Sequence, residues 1–387
     1  MNRIPNSIAE DLNVNLMKRA TNLSSRREFL RGLTITTAGL TLSPKYIAEL
    51  LAQNSGRKLG IAMLGLGGYA TNQLAPALRE TKLCKLTAVV TGHPEKGEKW
   101  ASDYNLKKEN IYSYESFDRI ANNPDVDIVY VVTPPALHPD FVIRASRAGK
   151  HVISEKPMAT SVPECDRMIA ACKKAKVQLG IGYRLHYDLF RKELMRIAQT
   201  QEFGPFMKMT GTFSFVMNQH QWRVEKKLAG GGAMMDLGIY ILQAAMQATN
   251  SAPVSVTAHE EPKQRPDFFN ETEETIKFTL NFANGAICEG TTSFNAGGNS
   301  FRAEGNKGWF EMSRGAFSYS GGVGQTSRGP LNYEWINQQA AQMDDFAECV
   351  ITGRKTPVPG EMGRTHMAII RAVYEAARTG KVVKVQA

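Results

Sequence analysis

The sequence predicts an α/β protein: a doubly wound parallel sheet comes first, then an α+β half built on a large, mostly antiparallel open sheet. Three observations carry this. Up to residue 178, short apolar runs alternate with amphipathic helical stretches, as repeated βαβ units require. From residue 179 onward, segments of apolar/polar alternation take over, the pattern of half-buried antiparallel strands. The length of 387 residues is also ample for two cores, since a single core stops growing near about 250–300 residues. The composition is that of an ordinary globular chain, with no internal period.

Charge and cysteine content exclude several classes. The formal net charge is +10, and +3 of it falls in residues 1–52. Acids and bases are mixed over the rest, and no basic stripe is interleaved with aromatics, which argues against a nucleic-acid partner. The five cysteines (Cys84, Cys165, Cys172, Cys288 and Cys349) are odd in number and contain no CxxC. They read as small buried residues rather than a disulfide framework. The seven histidines are dispersed, so no metal site is expected.

Residues 1–52 read as a targeting segment. Ser25-Arg26-Arg27-Glu28-Phe29-Leu30 precedes a short, weakly apolar stretch, Gly32–Leu42. That stretch falls short of the roughly 20 apolar residues a membrane span needs. The paired arginines resemble a twin-arginine signal, which implies the twin-arginine export machinery as a partner and a periplasmic or otherwise exported location. The alternative is an amphipathic N-terminal helix of the mature protein. Ala48–Ala52 is only a loose match to a small-residue cleavage site.

The first half is expected to span residues 53–178. Its first strand is Leu59–Leu64, which ends at Gly65-Leu66-Gly67-Gly68-Tyr69-Ala70 before a helical pattern. Strand, glycine turn and helix together form the context that gives G-x-G-x-x-G/A its meaning as a dinucleotide site. Gly65 permits the turn, Gly67 lets backbone approach a pyrophosphate, and Ala70 is small enough for close packing. Gly68 and Tyr69 belong to the same loop. The helix N-terminus offers free N–H groups to phosphate. Strand Leu86–Val90 ends at Thr91-Gly92-His93-Pro94-Glu95-Lys96, where an NAD-specific protein would carry an acid. A hydroxyl at Thr91, Gly92 beside it and an ammonium at Lys96 suit a 2′-phosphate, so NADP is expected, with NAD the alternative. Export of folded proteins by the twin-arginine route suits a chain that takes up a dinucleotide before leaving the cytoplasm.

Val126–Val132 reads as a fully buried parallel strand ending at Thr133-Pro134-Pro135-Ala136-Leu137-His138. A helix from Pro139 to Ala148 closes at Gly149. Strand His151–Ser154 then leads to Glu155-Lys156-Pro157-Met158. Ligands of such sheets bind beyond the strand C-termini, where Thr133, Pro134, His138, Glu155 and Lys156 all fall. In the second half, 179–387, strands are expected at Met207–Val216, Ser255–His259, Thr275–Phe282, Ala286–Ser293 and Lys307–Met312, with Asn284-Gly285 a two-residue hairpin. Arg184, His186 and Tyr187 follow a strand expected at Gln178–Ile181, bunch at the junction of the halves and suit hydroxyl recognition. Tyr319, in the glycine-rich stretch Gly315–Gly324, is a further group that could reach a ligand.

Taken together, the first glycine turn, Thr133–His138, Glu155-Lys156-Pro157, Ile181–Asp188, Gln221-Trp222-Arg223, Ala229–Tyr240 and Tyr374–Gly380 resemble the glucose–fructose oxidoreductase/inositol dehydrogenase family. The resemblance covers essentially everything after residue 58 and is strongest toward the exported, aldose-oxidising glucose–fructose oxidoreductase branch. It implies a Rossmann NADP-binding domain, a sugar substrate, and hydride passing from C1 of an aldopyranose to the nicotinamide and on to a second sugar. By matching position it implies Lys156 and Tyr240 as the catalytic pair with Asp236 beside them, and Thr91 and Lys96 at the 2′-phosphate. It also implies Trp222 and Arg223 at the nicotinamide, and a cis bond between Lys156 and Pro157. Pairing of subunits through the outer face of the second sheet, into a homo-dimer or homo-tetramer, is implied as well.

The residues themselves support such chemistry. Removing a hydroxyl proton while hydride leaves carbon needs a base. Tyr240 serves only if its pKa, about 10 unperturbed, is lowered, which a nearby Lys156 ammonium would favour. Asp236 and Tyr240, four apart, share a helix face. Gly230-Gly231-Gly232 would bring backbone close to substrate. Arg184 and Tyr187 join Lys156, Asp236 and Tyr240 as expected sugar contacts. The same residues also suit two other readings: an NAD-dependent glycosidase acting by transient C3 oxidation and elimination, and a non-catalytic sugar or nucleotide sensor.

Overall fold

A computed structural model describes residues 57–386 of the chain. The twin-arginine stretch and the Ala48–Ala52 region lie outside the described residues.

The first sheet holds six parallel strands: β1 (Leu59–Leu64), β2 (Cys84–Val90), β3 (Ile111–Tyr112), β4 (Ile128–Val131), β5 (His151–Ser154) and β6 (Leu179–Ile181). Their order is β3-β2-β1-β4-β5-β6, the doubly wound arrangement with its reversal between β1 and β4. Every residue of β1 and β4 is buried, which explains why both read as unbroken apolar runs. Helices α1 (Ala75–Leu78), α2 (Pro94–Tyr104), α3 (His138–Arg147) and α4 (Val162–Ala175) make the crossovers, and a π-helical turn, Ala70–Leu74, leads into α1. Gly149, at φ +73°, follows α3 as its position predicted.

The first sheet does not stop at residue 178. β6 follows that point, because Leu179–Ile181 pairs in parallel with β5. The chain then leaves through α5 (Leu189–Thr200), whose N-cap Asp188 accepts from Arg191 N.

The second sheet has nine strands. It begins with β7 (Phe206–Ser214), after which helix α6 (Ile239–Thr249) packs beneath it. It continues with β8 (Pro253–Glu260), β9 (Thr275–Phe282), β10 (Ile287–Ser293), β11 (Gly298–Gly305), β12 (Gly308–Arg314), β13 (Val323–Thr326), β14 (Gly329–Leu331) and, near the end, β15 (Val383–Lys384). The order is β14-β13-β12-β11-β7-β10-β9-β8-β15, antiparallel throughout except for the parallel pair β7–β10. The Asn284-Gly285 hairpin joins β9 to β10, but its loop has three residues, since Phe282 N donates to Ala286 O and Gly285 takes φ +84°. β11 escaped the sequence reading because it opens on Gly298 and alternates weakly.

Helix α7 (Gln338–Thr352) returns to the first sheet and packs near β2 and the Ala70–Leu74 turn. Helix α8 (Gly360–Thr379) packs on α4, β6 and β8. One continuous apolar core runs under both sheets, so the cleft between them has rigid walls.

Candidate active site

The loop after β1 is shaped for a ligand. Gly65 sits at φ +96°, and a Cβ there would lie 2.8 Å from Val132 O, so only glycine fits. A Cβ at Gly67 meets nothing within 4 Å: the backbone there is open toward the cleft. At the end of β4, Thr133 Oγ1 is buried without a partner among the described residues. An open glycine backbone ahead of a helical turn and an orphaned hydroxyl beside it fit a dinucleotide. Gly67, Gly68 and Tyr69 would hold it on one side and Thr133 on the other.

The cleft is a cavity of about 920 Å³. The first sheet contributes the glycine loop, Thr133, Glu155 and Lys156, while the second half contributes Trp222, Arg223, Asp236, Tyr240, Phe317 and Tyr319. This volume lies near the upper end of ordinary small-molecule sites.

Lys156 stands where β5 ends, and its bond to Pro157 is cis. Its Nζ donates to Asp236 O at 2.8 Å and to Asp236 Oδ1 at 2.9 Å, and lies 4.6 Å from the centre of the Tyr240 ring. Arg223 Nε donates to the other carboxylate oxygen, Asp236 Oδ2, at 2.9 Å. Burial opposes the Asp236 charge, but Lys156 and Arg223 outweigh it and hold this carboxyl well below the usual carboxylate range. Burial also opposes the Lys156 charge, and Asp236 and Tyr240 outweigh it, so its pKa rises and Lys156 stays an ammonium. Lys156 is therefore a cation and donor here, and the proton acceptor must be another group.

Beneath Lys156, Glu155 is buried. Its Oε1 accepts from Tyr130 Oη at 2.7 Å, and Tyr130 Oη in turn accepts from Gln342 Nε2 of α7 at 2.6 Å. Gly182 leaves room for it, since a Cβ there would lie 2.5 Å from Glu155 Oε1. Burial raises the Glu155 pKa against the lowering effect of Tyr130 and Lys156.

Arg184 lines the cavity in a different role from the expected sugar contact. Its NH1 donates to Ser318 O at 2.9 Å and Gln338 Oε1 at 2.5 Å, and its NH2 donates to Phe317 O at 2.5 Å. The guanidinium faces the Tyr240 ring at 5.2 Å and the Tyr319 ring at 4.3 Å. Arg184 thus pins the loop that brings Phe317 and Tyr319 into the cleft. Tyr319 packs, tilted, against Tyr69 of the glycine loop with ring centres 5.8 Å apart, and Trp222 carries Arg223 over its ring at 4.4 Å.

Other expected residues fall elsewhere. Tyr187 is buried outside the cavity, with its hydroxyl donated to Asp345 Oδ2 at 2.8 Å, so it is no sugar contact. Its neighbour His186 lies against it, away from the cleft. His138 is fully buried: Nε2 lies 2.7 Å from Thr133 O and Nδ1 lies 3.1 Å from Pro157 O, so it ties two loops rather than touching a ligand. Pro134 does not line the cavity either. Thr91, Gly92 and Lys96 lie apart from it at the end of β2, beside the glycine turn, where Gly65 N donates to Val90 O. Thr91 Oγ1 accepts from His93 N at 3.1 Å, and Lys96 is exposed. Gly230, Gly231 and Gly232 lie outside the cavity, which corrects their expected approach to substrate. Phe213, Asn299 and Phe317 line the cavity and were not foreseen, because nothing local distinguishes them from ordinary strand and loop residues.

A glycine-loop Rossmann sheet facing a Lys–Asp–Tyr cluster is the arrangement of an NAD(P)-dependent oxidoreductase. Residues 59–183 match the oxidoreductase family with NAD-binding Rossmann fold, and residues 192–311 match the GFO/IDH/MocA C-terminal domain; the chain belongs to this family. It is 42% identical to the aldose-aldose oxidoreductase of Caulobacter crescentus, solved with glycerol, over 85% of this chain and 100% of that one, with a TM-score of 0.82. The D-xylose 1-dehydrogenase [NADP(+)] of Haloarcula marismortui is 29% identical over 84% of this chain and 92% of its own length. A dTDP-3,4-didehydro-2,6-dideoxy-alpha-D-glucose 3-reductase of Saccharopolyspora spinosa is 30% identical over 48% of this chain and 54% of its own.

Proposed function

We propose that this protein oxidises an aldopyranose at C1, using NADP, and that a second sugar takes the hydride back. The observation that carries the reading is the convergence of Lys156 Nζ on the Tyr240 ring at 4.6 Å, with Asp236 bound to Lys156, at the wall of a cavity that reaches the glycine loop. The likeness to an aldose-aldose oxidoreductase and to a D-xylose 1-dehydrogenase supports C1 chemistry over attack at C3.

The nicotinamide, when bound, supplies the hydride acceptor. Gly67 and Gly68 would receive the pyrophosphate, Thr133 and Trp222 the nicotinamide end, and Thr91 and Lys96 the 2′-phosphate. Tyr240 Oη, acting as the phenolate after its own proton has passed to solvent, accepts the proton of the C1 hydroxyl as hydride leaves C1. Lys156 commits two of its three N–H donors to Asp236, and the third is directed to the developing sugar oxygen. Asp236, shared by Lys156 and Arg223, keeps the ammonium in place rather than acting as a base. Tyr319 and Trp222 shield the reacting centre from water.

The twin-arginine stretch in residues 1–52 supports an exported location, and the family resemblance supports a homo-oligomer. The test is mass spectrometry of nucleotide released from the denatured protein, followed by a panel of hexoses, pentoses and disaccharides with product analysis. Release of NADP and formation of aldonolactone are expected. Release of aglycone from glycosides without net redox change would overturn C1 oxidation in favour of C3 elimination.

A further inference from the structure

Two of the three glycines ahead of Asp236, Gly231 and Gly232, serve a different neighbour from the cavity. A Cβ at Gly231 would fall on Tyr374 Oη, and one at Gly232 would fall on the backbone carbonyl of Glu273. Glu273 lies just before β9 and is 5% exposed. Its Oε2 accepts from Gly232 N at 2.8 Å, and its Oε1 accepts from Met234 N and from Tyr374 Oη, both at 2.8 Å. All three partners are donors, an arrangement only a carboxylate satisfies in full. Burial pushes the Glu273 carboxyl up, and Met234 N and Tyr374 pull it back only in part. A group so costly to bury is kept for its position.

Of the two N–H groups it holds, Met234 N opens the π-helical turn Met234–Gly238, which runs into α6, and Gly232 N lies two residues ahead of it. Asp236 is the third residue of that turn and donates its own N–H to Gly232 O at 3.2 Å. Tyr374 comes from α8, in a segment with no other place in the chemistry.

We infer that Glu273, held by Tyr374, is a positioning residue that sets the start of the Asp236–Tyr240 helix and through it the Asp236–Lys156 pair. The inference rests on Lys156 and Asp236 serving the reaction proposed above. Asp236 must meet Lys156 and Arg223 at once, each at 2.9 Å, so a shift of its turn loosens one of them. In Glu273→Gln the amide NH2 faces a backbone N–H, and one of Gly232 N and Met234 N loses its acceptor.

The test uses the full chain with NADP and the aldose of highest turnover. Glu273→Gln is expected to lower kcat about 10–100-fold with KM little changed. The acid limb of its pH profile should move to higher pH as Asp236 loses part of its hold on Lys156. Glu273→Asp should recover part of the rate, and Tyr374→Phe, which keeps the ring and removes one donor, should lower kcat about 3–10-fold. A folded Glu273→Gln with wild-type kcat and pH profile overturns the inference. Should Glu273→Gln fail to fold, Tyr374→Phe with unchanged kcat and profile overturns it equally. Lys156→Ala at full activity would sink the reading of the site itself, and the inference with it. An inactive Lys156→Ala beside normal Glu273 and Tyr374 variants would sink the inference alone.

Discussion

The Lys156 ammonium lies 4.6 Å from the centre of the Tyr240 ring, the first reaching from the end of β5 and the second from α6 beneath the other sheet. Neither sheet contains this contact alone. Its chemical value depends on Asp236, which binds Lys156 twice and leaves one ammonium proton for a ligand.

Lys156→Ala and Asp236→Asn are therefore expected to lower kcat by about 10²–10⁴, the usual worth of a positioned proton-transfer or electrostatic group. Nucleotide content should stay near wild type. Single-turnover rates with bound NADP check this, and a drop below tenfold in both variants would remove them from the chemistry.

Two glycines of one loop should fail differently. Gly65→Ala forces a side chain at φ +96° within 2.8 Å of Val132 O, so it should destabilise the fold by about 1–3 kcal/mol. Gly67→Val meets no protein atom within 4 Å at its Cβ, so melting should change little while NADP affinity falls at least about tenfold. Paired melting and nucleotide titration separate the two; equal losses of stability would mean Gly67 is structural.

Thr91→Asp with Lys96→Glu places carboxylates where the 2′-phosphate is expected. NADP affinity should fall about tenfold or more while NAD affinity holds or improves. Fluorescence titration with both nucleotides reads the ratio, and an unchanged ratio would move the 2′-phosphate elsewhere.

Tyr187→Phe tests the placement that departs from expectation. Loss of the bond to Asp345 should cost about 1 kcal/mol of stability, with kcat/KM for aldoses unchanged. A rise in KM of tenfold or more would return Tyr187 to the sugar site.

His366 gives a pH signature of the fold. It is 1% exposed, with Nδ1 2.7 Å from Tyr183 Oη, and burial pushes its pKa down to about 3. Its unfolded value is about 6.5, so between these values the unfolded chain holds a proton the native one lacks. Stability is then full above about pH 6.5 and falls as pH drops toward 3. His138, His151 and His186 are pushed down by burial in the same direction. Chemical denaturation at pH 7 and pH 5 should differ by roughly 1–2 kcal/mol through His366 alone, and His366→Gln should flatten the slope. No difference between wild type and His366→Gln would refute it.

Much of this was legible along the chain. The β1 run, the Gly65–Ala70 turn and the Asn284-Gly285 hairpin are local signals, because turn geometry and strand burial constrain neighbouring residues directly. The strand at Gln178–Ile181 is legible along the chain, but its parallel pairing with β5, which makes it the edge of the first sheet, leaves no local mark. Tyr187 and His138 were misread for a related reason: a polar side chain beside a ligand motif looks the same whether it faces the ligand or a buried partner.

The sequence by itself determined the class of fold and the dinucleotide loop, because strand burial and turn chemistry act on neighbouring residues; it pointed to Lys156, Asp236 and Tyr240 only through the family that several motifs together resemble. Only the tertiary structure decided which of these charges meet. It committed Arg184 to the Phe317–Tyr319 loop and Tyr187 to Asp345, and it placed Glu273 and Tyr374 behind the turn that holds Asp236. Hydrogen bonds and burial act over about 3 Å in space, whatever the separation along the chain.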